Sequence, residues 1–310
     1  MTTPGVPVWL PPGVDPAALG PLPAAVQLVP WGTRAAEVQV VVLDPGLRAQ
    51  LVDALPSLTA LRVVQTLNAG VDWVPPLPDG VRLCNSGTVH DGPVAEWVVA
   101  VLLAVEKRLP HYLHEQRGGR WDPSGNLAFA DGVPAGDLAG ATVLVVGHGS
   151  IGRAVQVRLE PFGTRVVGVA RRAREGVHPV AGLPSLLPDA DAVVLLTPLT
   201  PETRGLVDAA FLARMRPRAL LVNAARGALV DTGALLAALQ EGRVRAALDA
   251  TDPEPLPEGH PLWSAPGCLI TPHVAGSSAH WRARAYALVG EQLRRLAAGA
   301  PPAHVRDQGY

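Results

Sequence analysis

The sequence contains few cysteines and lysines, and the scarcity of cysteine excludes some classes of protein. Its 310 residues include two cysteines and a single lysine, Lys107. Cys84 and Cys268 lie far apart and show no metal-ligand spacing, so neither a bound metal nor a disulfide framework is predicted. A reduced chain of the cytoplasm is therefore expected.

An excess of charge of either sign is also lacking, with 26 basic and 27 acidic residues. A chain without a basic field is not expected to bind nucleic acid. The first segment, MTTPGVPVWLPPGVDP, has no basic start followed by an apolar core, so no signal peptide is predicted. No apolar run approaches the roughly 20 residues that span a bilayer, so no membrane partner is expected.

Short apolar runs alternate along the chain with longer amphipathic ones. Strands are predicted at residues 6–10, 38–43 and 61–67, and after a loop-rich stretch at 142–146, 165–169, 192–196, 219–223, 246–249 and 268–270. Helices are predicted between them, including one at 93–108 and a tail helix that ends at Gly299. The pattern predicts an α/β fold of two units, each a parallel sheet covered by helices.

A glycine motif, G-x-G-x-x-G, follows the apolar strand TVLVV and precedes the helical run IGRAVQVRLEPF. The first glycine permits a tight turn, the second lets the backbone approach a pyrophosphate, and the third allows close helix packing. A glycine-rich turn without a ligand is the alternative, but the placement between strand and helix favours dinucleotide binding. The contacts are expected at Gly147, Gly149, Ser150, Ile151 and Gly152.

The next predicted strand, RVVGVA, ends at Ala170 without the carboxylate that usually holds the ribose of NAD. Arg171 and Arg172 follow it, and Arg174 is close by. Guanidinium groups bind phosphate through paired hydrogen bonds, so NADP(H) is the preferred cofactor, with NAD(H) possible. The alternative is that these arginines are merely solvated.

Three later segments carry polar residues directly after predicted strands. Arg226 lies in VNAARG, Asp249 and Glu254 in LDATDPEP, and His273 in TPHVAG. The carboxyl ends of parallel strands build the crevice of a doubly wound sheet. Each residue has a structural alternative: Arg226 could pair with Asp231 or cap a helix, and His273 could be a buried structural histidine.

With LNAGVDWV, VHDGPVAEWVVAVLLA and LTPLTPETRGLVD, these segments stand in the order typical of one family. Over nearly its whole length the chain resembles the D-isomer-specific 2-hydroxyacid dehydrogenases. The resemblance implies two Rossmann-like doubly wound parallel-sheet domains with a cleft between them, and a homodimer. It places a substrate-binding domain at residues 1–100 plus about 280–310, and a dinucleotide-binding domain at 101–279.

The resemblance identifies Arg226, Glu254 and His273 as the catalytic residues. A 2-keto acid presents a carboxylate and a carbonyl, which the planar fork of Arg226 can hold while its charge stabilises the developing oxyanion. His273 can deliver a proton to that oxygen, or remove it in the oxidative direction. Glu254 would orient His273 and favour its protonated form.

The resemblance also assigns contacts around these residues. It gives the substrate carboxylate to the backbone N–H groups of one turn, the nicotinamide carboxamide to Asp249, and further cofactor contacts to three lining residues. The turn comprises Leu67, Asn68, Ala69 and Gly70, and the lining residues are Pro198, Thr203 and Ala224.

The predicted function is hydride transfer between NADP(H) and a small 2-keto or D-2-hydroxy acid, with glyoxylate or hydroxypyruvate as the expected substrates. One alternative is an NAD-dependent dehydrogenase of the same family, acting on phosphoglycerate or another hydroxy acid. Another is a binding protein on the same fold that senses nicotinamide nucleotides. A third alternative is the oxidation of formate or phosphite. Glu254 argues against formate oxidation, because formate enzymes of the family pair the histidine with glutamine.

Overall fold

The computed structural model describes residues 5–125 and 135–306. The chain forms two compact units, one of Met1–His90 with Ser277–Tyr310 and the other of Asp91–Gly276. The strands of the described residues are β1 (Val6–Trp9), β2 (Val26–Val29), β3 (Val40–Leu43), β4 (Val63–Thr66), β5 (Arg82–Cys84), β6 (Thr142–Val146), β7 (Arg165–Ala170), β8 (Val177–Pro179), β9 (Ala192–Leu195), β10 (Leu220–Asn223), β11 (Arg245–Leu248), β12 (Cys268–Ile270) and β13 (Val305–Arg306).

The helices of the described residues are α1 (Arg48–Ala54), α2 (Asp91–Glu106), α3 (Leu109–Arg117), α4 (Ser150–Leu159), α5 (Leu183–Leu186), α6 (Ala209–Arg214), α7 (Thr232–Gln240) and α8 (Trp281–Ala297). Helices α1 and α8 belong to the first unit, and helices α2 to α7 belong to the second. Among the described residues, none of the helices combines the length and the hydropathy needed to cross a membrane.

The first unit contains a six-stranded sheet in the order β13-β5-β4-β3-β1-β2. Its strands are parallel except β13, which runs antiparallel to β5. Valine-rich strands such as β3 are buried along their whole length, as expected of a parallel sheet covered on both faces. The tail helix α8 returns to this unit, where its buried face shares a core with β1, β3 and β4.

The second unit contains seven parallel strands in the order β12-β11-β10-β9-β6-β7-β8. The chain first adds β7 and β8 on one side of β6 and then adds β9 to β12 on the other. This reversal creates a switch point between β6 and β9, the place where open α/β sheets bind ligands at the carboxyl ends of their strands.

The units divide at His90 and Gly276, whereas the sequence places its boundaries at residue 100 and about residue 280. The difference at the first boundary comes from helix α2. Its apolar face shares a core with Val143 and Val145 of β6 and with Val155 of α4, so the entire helix packs in the second unit. A sequence boundary inside α2 would cut through this core.

Candidate active site

Three neighbouring strands of the second unit carry the predicted catalytic residues. Arg226 follows β10, Glu254 follows β11 and His273 follows β12. These strands are adjacent and parallel, so their carboxyl ends lie at one edge of the sheet. The glycine turn after β6 and the residues after β9 lie at the same edge.

His273 and Glu254 are in direct contact. The ring Nδ1 of His273 lies 2.5 Å from Oε1 of Glu254, and about two fifths of each side chain is exposed. An ionised carboxylate can only accept hydrogen bonds, so Nδ1 is the donor. The other ring nitrogen, Nε2, is then the one that can exchange a proton with a substrate.

Arg226 is partly buried, and the loop that carries it is held by a buried residue. Asn223, 1% exposed, donates from Nδ2 to the carbonyl of Arg226 (2.8 Å) and accepts from the N–H of Ala225 at 3.1 Å. The alternative partner Asp231 instead caps α7 by accepting from the N–H of Ala234 (2.9 Å). The arginine therefore follows β10 on a backbone that its neighbours fix.

Asp249 lies directly after β11 and is buried, with 3% of its surface exposed. Its carboxylate accepts hydrogen bonds from the hydroxyl of Thr271 and from the N–H groups of Val274 and Ala275. The expected contact with a nicotinamide carboxamide stays a prediction. What the structure shows is a carboxylate that binds the segment carrying His273.

In the glycine turn after β6, Gly147 and Gly152 pack closely against the backbone, whereas Gly149 faces open space. Gly147 has a φ of +98°, and a Cβ there would lie 2.4 Å from the backbone nitrogen of Thr197. A Cβ on Gly152 would lie 3.0 Å from the carbonyl of Gly147, while one on Gly149 would meet nothing within 4 Å. The open position precedes the first N–H groups of α4, which suits the approach of a pyrophosphate.

The first two residues of α4 have different surroundings. Ser150 donates its hydroxyl hydrogen to Oδ1 of Asp91 at 3.1 Å, and the partly buried Ile151 packs against the core shared with α2. Both positions leave their backbone N–H groups in the first turn of the helix, where no carbonyl of the helix itself is available to them.

Arg171 and Arg172 are exposed directly after β7, which ends at Ala170. The pKa of Glu202 is lowered, first by its hydrogen bond to the side chain of Thr200 and by a hydrogen bond to its own backbone. The nearby positive charge of Arg171 lowers it further. Arg174 is occupied differently, because its guanidinium donates to the carbonyl of His148 in the glycine turn.

The other predicted lining residues lie after β9 and β10. Thr203 donates its hydroxyl hydrogen to the carbonyl of Pro198 (2.7 Å) and accepts from the N–H of Thr200, also at 2.7 Å. The N–H of Ala224 donates to the carbonyl of Leu195, at 3.3 Å. These contacts fix two short loops at the edge of the sheet that holds the glycine turn.

In the first unit, the predicted substrate turn follows β4, and each of its four carbonyl groups accepts a hydrogen bond. Four donors come from the segment after β5 and from one tryptophan: His90 Nε2 to Leu67 (3.0 Å), the N–H of Ser86 to Asn68 (3.1 Å), Asn85 Nδ2 to Ala69 (2.7 Å) and Trp73 Nε1 to Gly70 (3.0 Å). The hydroxyl of Thr66, the last residue of β4, also donates to the carbonyl of Asn68 (3.1 Å).

These carbonyl contacts determine where the N–H groups of the turn point. The peptide bonds here are trans, and in a planar trans peptide the N–H points opposite to the preceding carbonyl. The N–H groups of Asn68, Ala69 and Gly70 therefore point away from the donors that hold the carbonyls. Backbone N–H groups held in a fixed orientation can donate hydrogen bonds to a carboxylate.

The sequence reasoning missed the residues that hold these loops, namely Asn223, Asn85 and His90. A usable signal was present for two of them. Asn223 ends an apolar strand, and Asn85 directly follows one, so each is a polar residue expected to be buried and hydrogen-bonded. The partner carbonyls could not be read from the sequence, because they belong to other strands or loops.

Comparisons with known proteins identify the family of the chain. A family model described as the NAD binding domain of D-isomer specific 2-hydroxyacid dehydrogenase matches residues 99–275. The glyoxylate reductase of Thermofilum pendens is 34% identical over 272 residues, covering 84% of this chain and 78% of that protein. The human glyoxylate reductase/hydroxypyruvate reductase is 35% identical over 231 residues, covering 71% and 69%.

A solved structure is similar over nearly the whole chain. It is an NADPH-dependent glyoxylate/hydroxypyruvate reductase from Sinorhizobium meliloti in complex with NADP and sulfate, with a TM-score of 0.80 and 29% identity over 98% of this chain and 100% of that chain. The chain belongs to the D-isomer-specific 2-hydroxyacid dehydrogenase family. It is an NAD(P)-dependent oxidoreductase that transfers a hydride between a nicotinamide cofactor and a 2-keto or 2-hydroxy acid.

Proposed function

We propose that the chain is a reductase of small 2-keto acids that prefers NADPH, with glyoxylate or hydroxypyruvate as substrate. The observation that carries the proposal is the 2.5 Å contact between His273 and Glu254, at the sheet edge where the strand before Arg226 also ends. The names of the relatives from Thermofilum pendens and human support the substrate class.

The residues present fit a dinucleotide. The open space beside Gly149 and the first turn of α4 suit a pyrophosphate, and the exposed Arg171 and Arg172 suit a 2′-phosphate. We assign further contacts to Gly147, Ser150, Ile151, Gly152, Pro198, Thr203 and Ala224. When bound, the reduced nicotinamide supplies the hydride for the carbonyl carbon of the substrate.

The chain itself supplies binding, charge and a proton. The guanidinium of Arg226 holds the substrate carboxylate and carbonyl and stabilises the negative charge that develops on the carbonyl oxygen. His273 gives that oxygen a proton from Nε2, while Glu254 accepts from Nδ1 and keeps the ring oriented. One hydride and one proton convert the 2-keto acid into the 2-hydroxy acid, and the oxidative direction returns the proton to His273.

The turn Leu67, Asn68, Ala69 and Gly70 is proposed to bind the substrate carboxylate through its backbone N–H groups. Support comes from the hydrogen bonds that each of the four carbonyls of the turn accepts, because each bond fixes the orientation of its peptide unit. A carboxylate bound by backbone groups leaves specificity for the rest of the substrate to nearby side chains.

Steady-state assays with glyoxylate, hydroxypyruvate, pyruvate and phenylpyruvate, each with NADPH and with NADH, test the proposal. We expect the highest kcat/KM with NADPH and with glyoxylate or hydroxypyruvate. Turnover that favours NADH contradicts the cofactor assignment, and a preference for phenylpyruvate contradicts the substrate assignment. Binding of NADPH without turnover of any keto acid identifies the nucleotide-sensing alternative.

A second candidate is NAD-dependent oxidation of phosphoglycerate. The D-3-phosphoglycerate dehydrogenase of Mycobacterium tuberculosis is 36% identical over 263 residues, which cover 81% of this chain and 48% of that protein. Reduction of NAD with 3-phosphoglycerate, at a kcat/KM above that of the keto acid assays, favours this candidate.

We infer further that the enzyme is a homodimer of the cytoplasm. The apolar side chains Leu109, Leu113 and Trp121 are 48%, 55% and 94% exposed on and directly after α3, which suits a protein interface. Both cysteines are free thiols, as in a reducing compartment. Sedimentation of wild type and of W121A tests the dimer: a monomeric wild type contradicts it.

A further inference from the structure

Asp249 contacts the segment around His273 through both its side chain and its backbone. Its Oδ1 accepts hydrogen bonds from the hydroxyl of Thr271 (2.6 Å) and the N–H of Val274 (2.8 Å), and its Oδ2 accepts from the N–H of Ala275 (2.8 Å). The carbonyl of Asp249 accepts from the N–H of His273, also at 2.8 Å. Three successive N–H groups, those of residues 273 to 275, therefore bind one residue.

The backbone of His273 has an uncommon conformation that explains this arrangement. Its φ is +54°, in the left-handed region that residues other than glycine rarely adopt. A left-handed residue turns the N–H groups on its carboxyl side towards a common point, which makes a concave site for an anion. Here the anion is the carboxylate of Asp249, so the conformation of His273 and the charge of Asp249 support each other.

The neighbouring strand also ends in a buried polar residue, which holds the loop of Arg226. Asn223 pairs in register with Leu248, the residue before Asp249, and both Asn223 and Asp249 are almost fully buried. The amide of Asn223 bonds to the carbonyl of Arg226 and to the N–H of Ala225. Two buried polar residues at adjacent strand ends thus hold the loops of the two residues assigned to chemistry.

We propose that Asp249 is a positioning residue for His273. Its carboxylate accepts hydrogen bonds that hold the left-handed conformation, which brings Nδ1 of His273 to Glu254 and leaves Nε2 for the substrate. The proposal rests on the catalytic role proposed for His273. It differs from the role expected from the family resemblance, in which Asp249 contacts the nicotinamide carboxamide and acts on cofactor binding.

The substitution D249N separates these roles because it keeps the shape of the side chain. An amide presents one acceptor and one donor group, whereas the native carboxylate accepts at both oxygens. In either orientation of the amide, its NH2 group faces the N–H of Val274 or the N–H of Ala275. We therefore expect the segment around His273 to shift, with the buried surroundings otherwise unchanged.

Thr271 offers a second, milder test of the same contact. T271V removes the hydroxyl donor to Asp249 at constant shape, and T271S keeps the hydroxyl. D191N is the matched control, because Asp191 also accepts a backbone N–H, that of Thr142 at 2.8 Å, but before β9 at the opposite edge of the sheet.

The experiment measures kcat and KM for glyoxylate, the Kd of NADPH by fluorescence titration, and Tm. We expect D249N to lower kcat about 100-fold, as small misplacements of a reacting group do, while the Kd of NADPH stays unchanged. T271V lowers kcat in the same way to a smaller extent, and T271S recovers most of the loss. D191N keeps the wild-type kcat and the wild-type Kd of NADPH, although it also loses an ion pair with Arg216.

A D249N enzyme that binds NADPH at least tenfold more weakly, but keeps the wild-type kcat at saturation, overturns the proposal in favour of cofactor contact. If D249N does not fold, equal kcat values for T271V and T271S overturn it instead. H273A distinguishes this failure from a failure of the proposed function. Wild-type turnover by H273A rejects the catalytic role of His273, whereas an impaired H273A beside a fully active D249N rejects only the role of Asp249.

Discussion

The two ring nitrogens of His273 have different tasks. Nδ1 contacts Glu254, so only Nε2 can deliver the proton to a carbonyl oxygen. We propose that this contact with the carboxylate of Glu254 holds the ring in one orientation. Neither residue is buried, and the pair therefore depends on this single short contact for its geometry.

Replacing Glu254 by glutamine tests that contact. E254Q still accepts from Nδ1 through its amide oxygen but loses the negative charge, so we expect kcat for the keto acid to fall by at most about 100-fold, the lower end of general acid–base effects. H273A is expected to lose about 10²- to 10⁴-fold. E258Q, an exposed glutamate in the same loop, is the control, and an E254Q as active as E258Q refutes the pairing as a catalytic feature.

Arg171 and Arg172 are expected to select the cofactor. Hydrogen bonds to charged groups contribute about 1.5–3 kcal/mol each, so we expect R171A and R172A to raise the KM for NADPH about 10- to 100-fold. The KM for NADH should stay the same, because it has no 2′-phosphate. R218A, an exposed arginine before β10, is the control. Unchanged NADPH kinetics in the double variant R171A/R172A rule out a phosphate-binding role.

The two thiols are expected to be unreactive in the folded protein. Burial raises the pKa of Cys84 to about 11 and that of Cys268 to about 12. A raised thiol pKa keeps the proton on the folded state, so the thiolate forms only as the pH approaches those values. At about pH 8, a thiol with a pKa of about 11 is roughly 0.1% ionised, against about a quarter for an ordinary cysteine.

Reaction with an aromatic disulfide reagent measures this difference. We expect both thiols to react more than 100-fold more slowly in the native enzyme than in guanidinium, and the native rate to increase up to about pH 10. The folded state should also lose stability from about pH 9 upwards, because the unfolded thiols ionise first. Rapid native labelling of either cysteine at about pH 8 contradicts the burial argument.

At the scale of elements, the turn after β4 depends on the segment after β5. Asn85 holds the carbonyl of Ala69, and N85A removes that contact while leaving the second unit untouched. We expect N85A to raise the KM for the keto acid about tenfold, the loss of roughly one hydrogen bond, without changing the Kd of NADPH.

Q39A is the matched control for this prediction. Gln39 also donates its amide to a backbone carbonyl, that of Gly5 at 3.2 Å, but precedes β3 at the amino end of the sheet. A larger effect of N85A on NADPH binding than on the keto acid would place the turn outside the substrate contacts.

Elements with a strong periodic pattern could be predicted from the sequence. The bounds of β6 and β12 agree with the predicted residues, and α8 ends at Ala297, two residues before the positive-φ Gly299. The two-residue strand β13 was not predicted, because so short a segment has no periodicity. It forms through its pairing with Cys84 and Leu83, more than 200 residues away.

The identities of the candidate site residues could be predicted from the sequence, but their conformations could not. Arg226, Glu254 and His273 were identified through the family resemblance, and each follows a predicted strand. The left-handed conformation of His273 could not be predicted, because no residue in TPHVAG requires it. It depends on hydrogen bonds to Asp249, a residue more than 20 positions earlier.

At the scale of the whole molecule, each unit follows the same building rule. The parallel strands of the first sheet have the order β2-β1-β3-β4-β5, which reverses between β1 and β3, and the second sheet reverses between β6 and β9. Each sheet therefore has a point where connections leave in opposite directions. Loops at the carboxyl ends of such strands carry the residues assigned to substrate in the first unit and to cofactor and proton transfer in the second.

Membership in a D-isomer-specific family makes the stereochemistry of the product the most direct test of hydride and proton transfer by this chain. Hydroxypyruvate is incubated with NADPH and the wild-type enzyme, and the glycerate enantiomers are resolved while NADPH consumption is followed. We expect one D-glycerate for each NADPH consumed, and about 10²- to 10⁴-fold slower formation with H273A. L-glycerate, a racemic product, or equal rates for wild type and H273A would contradict the assignment.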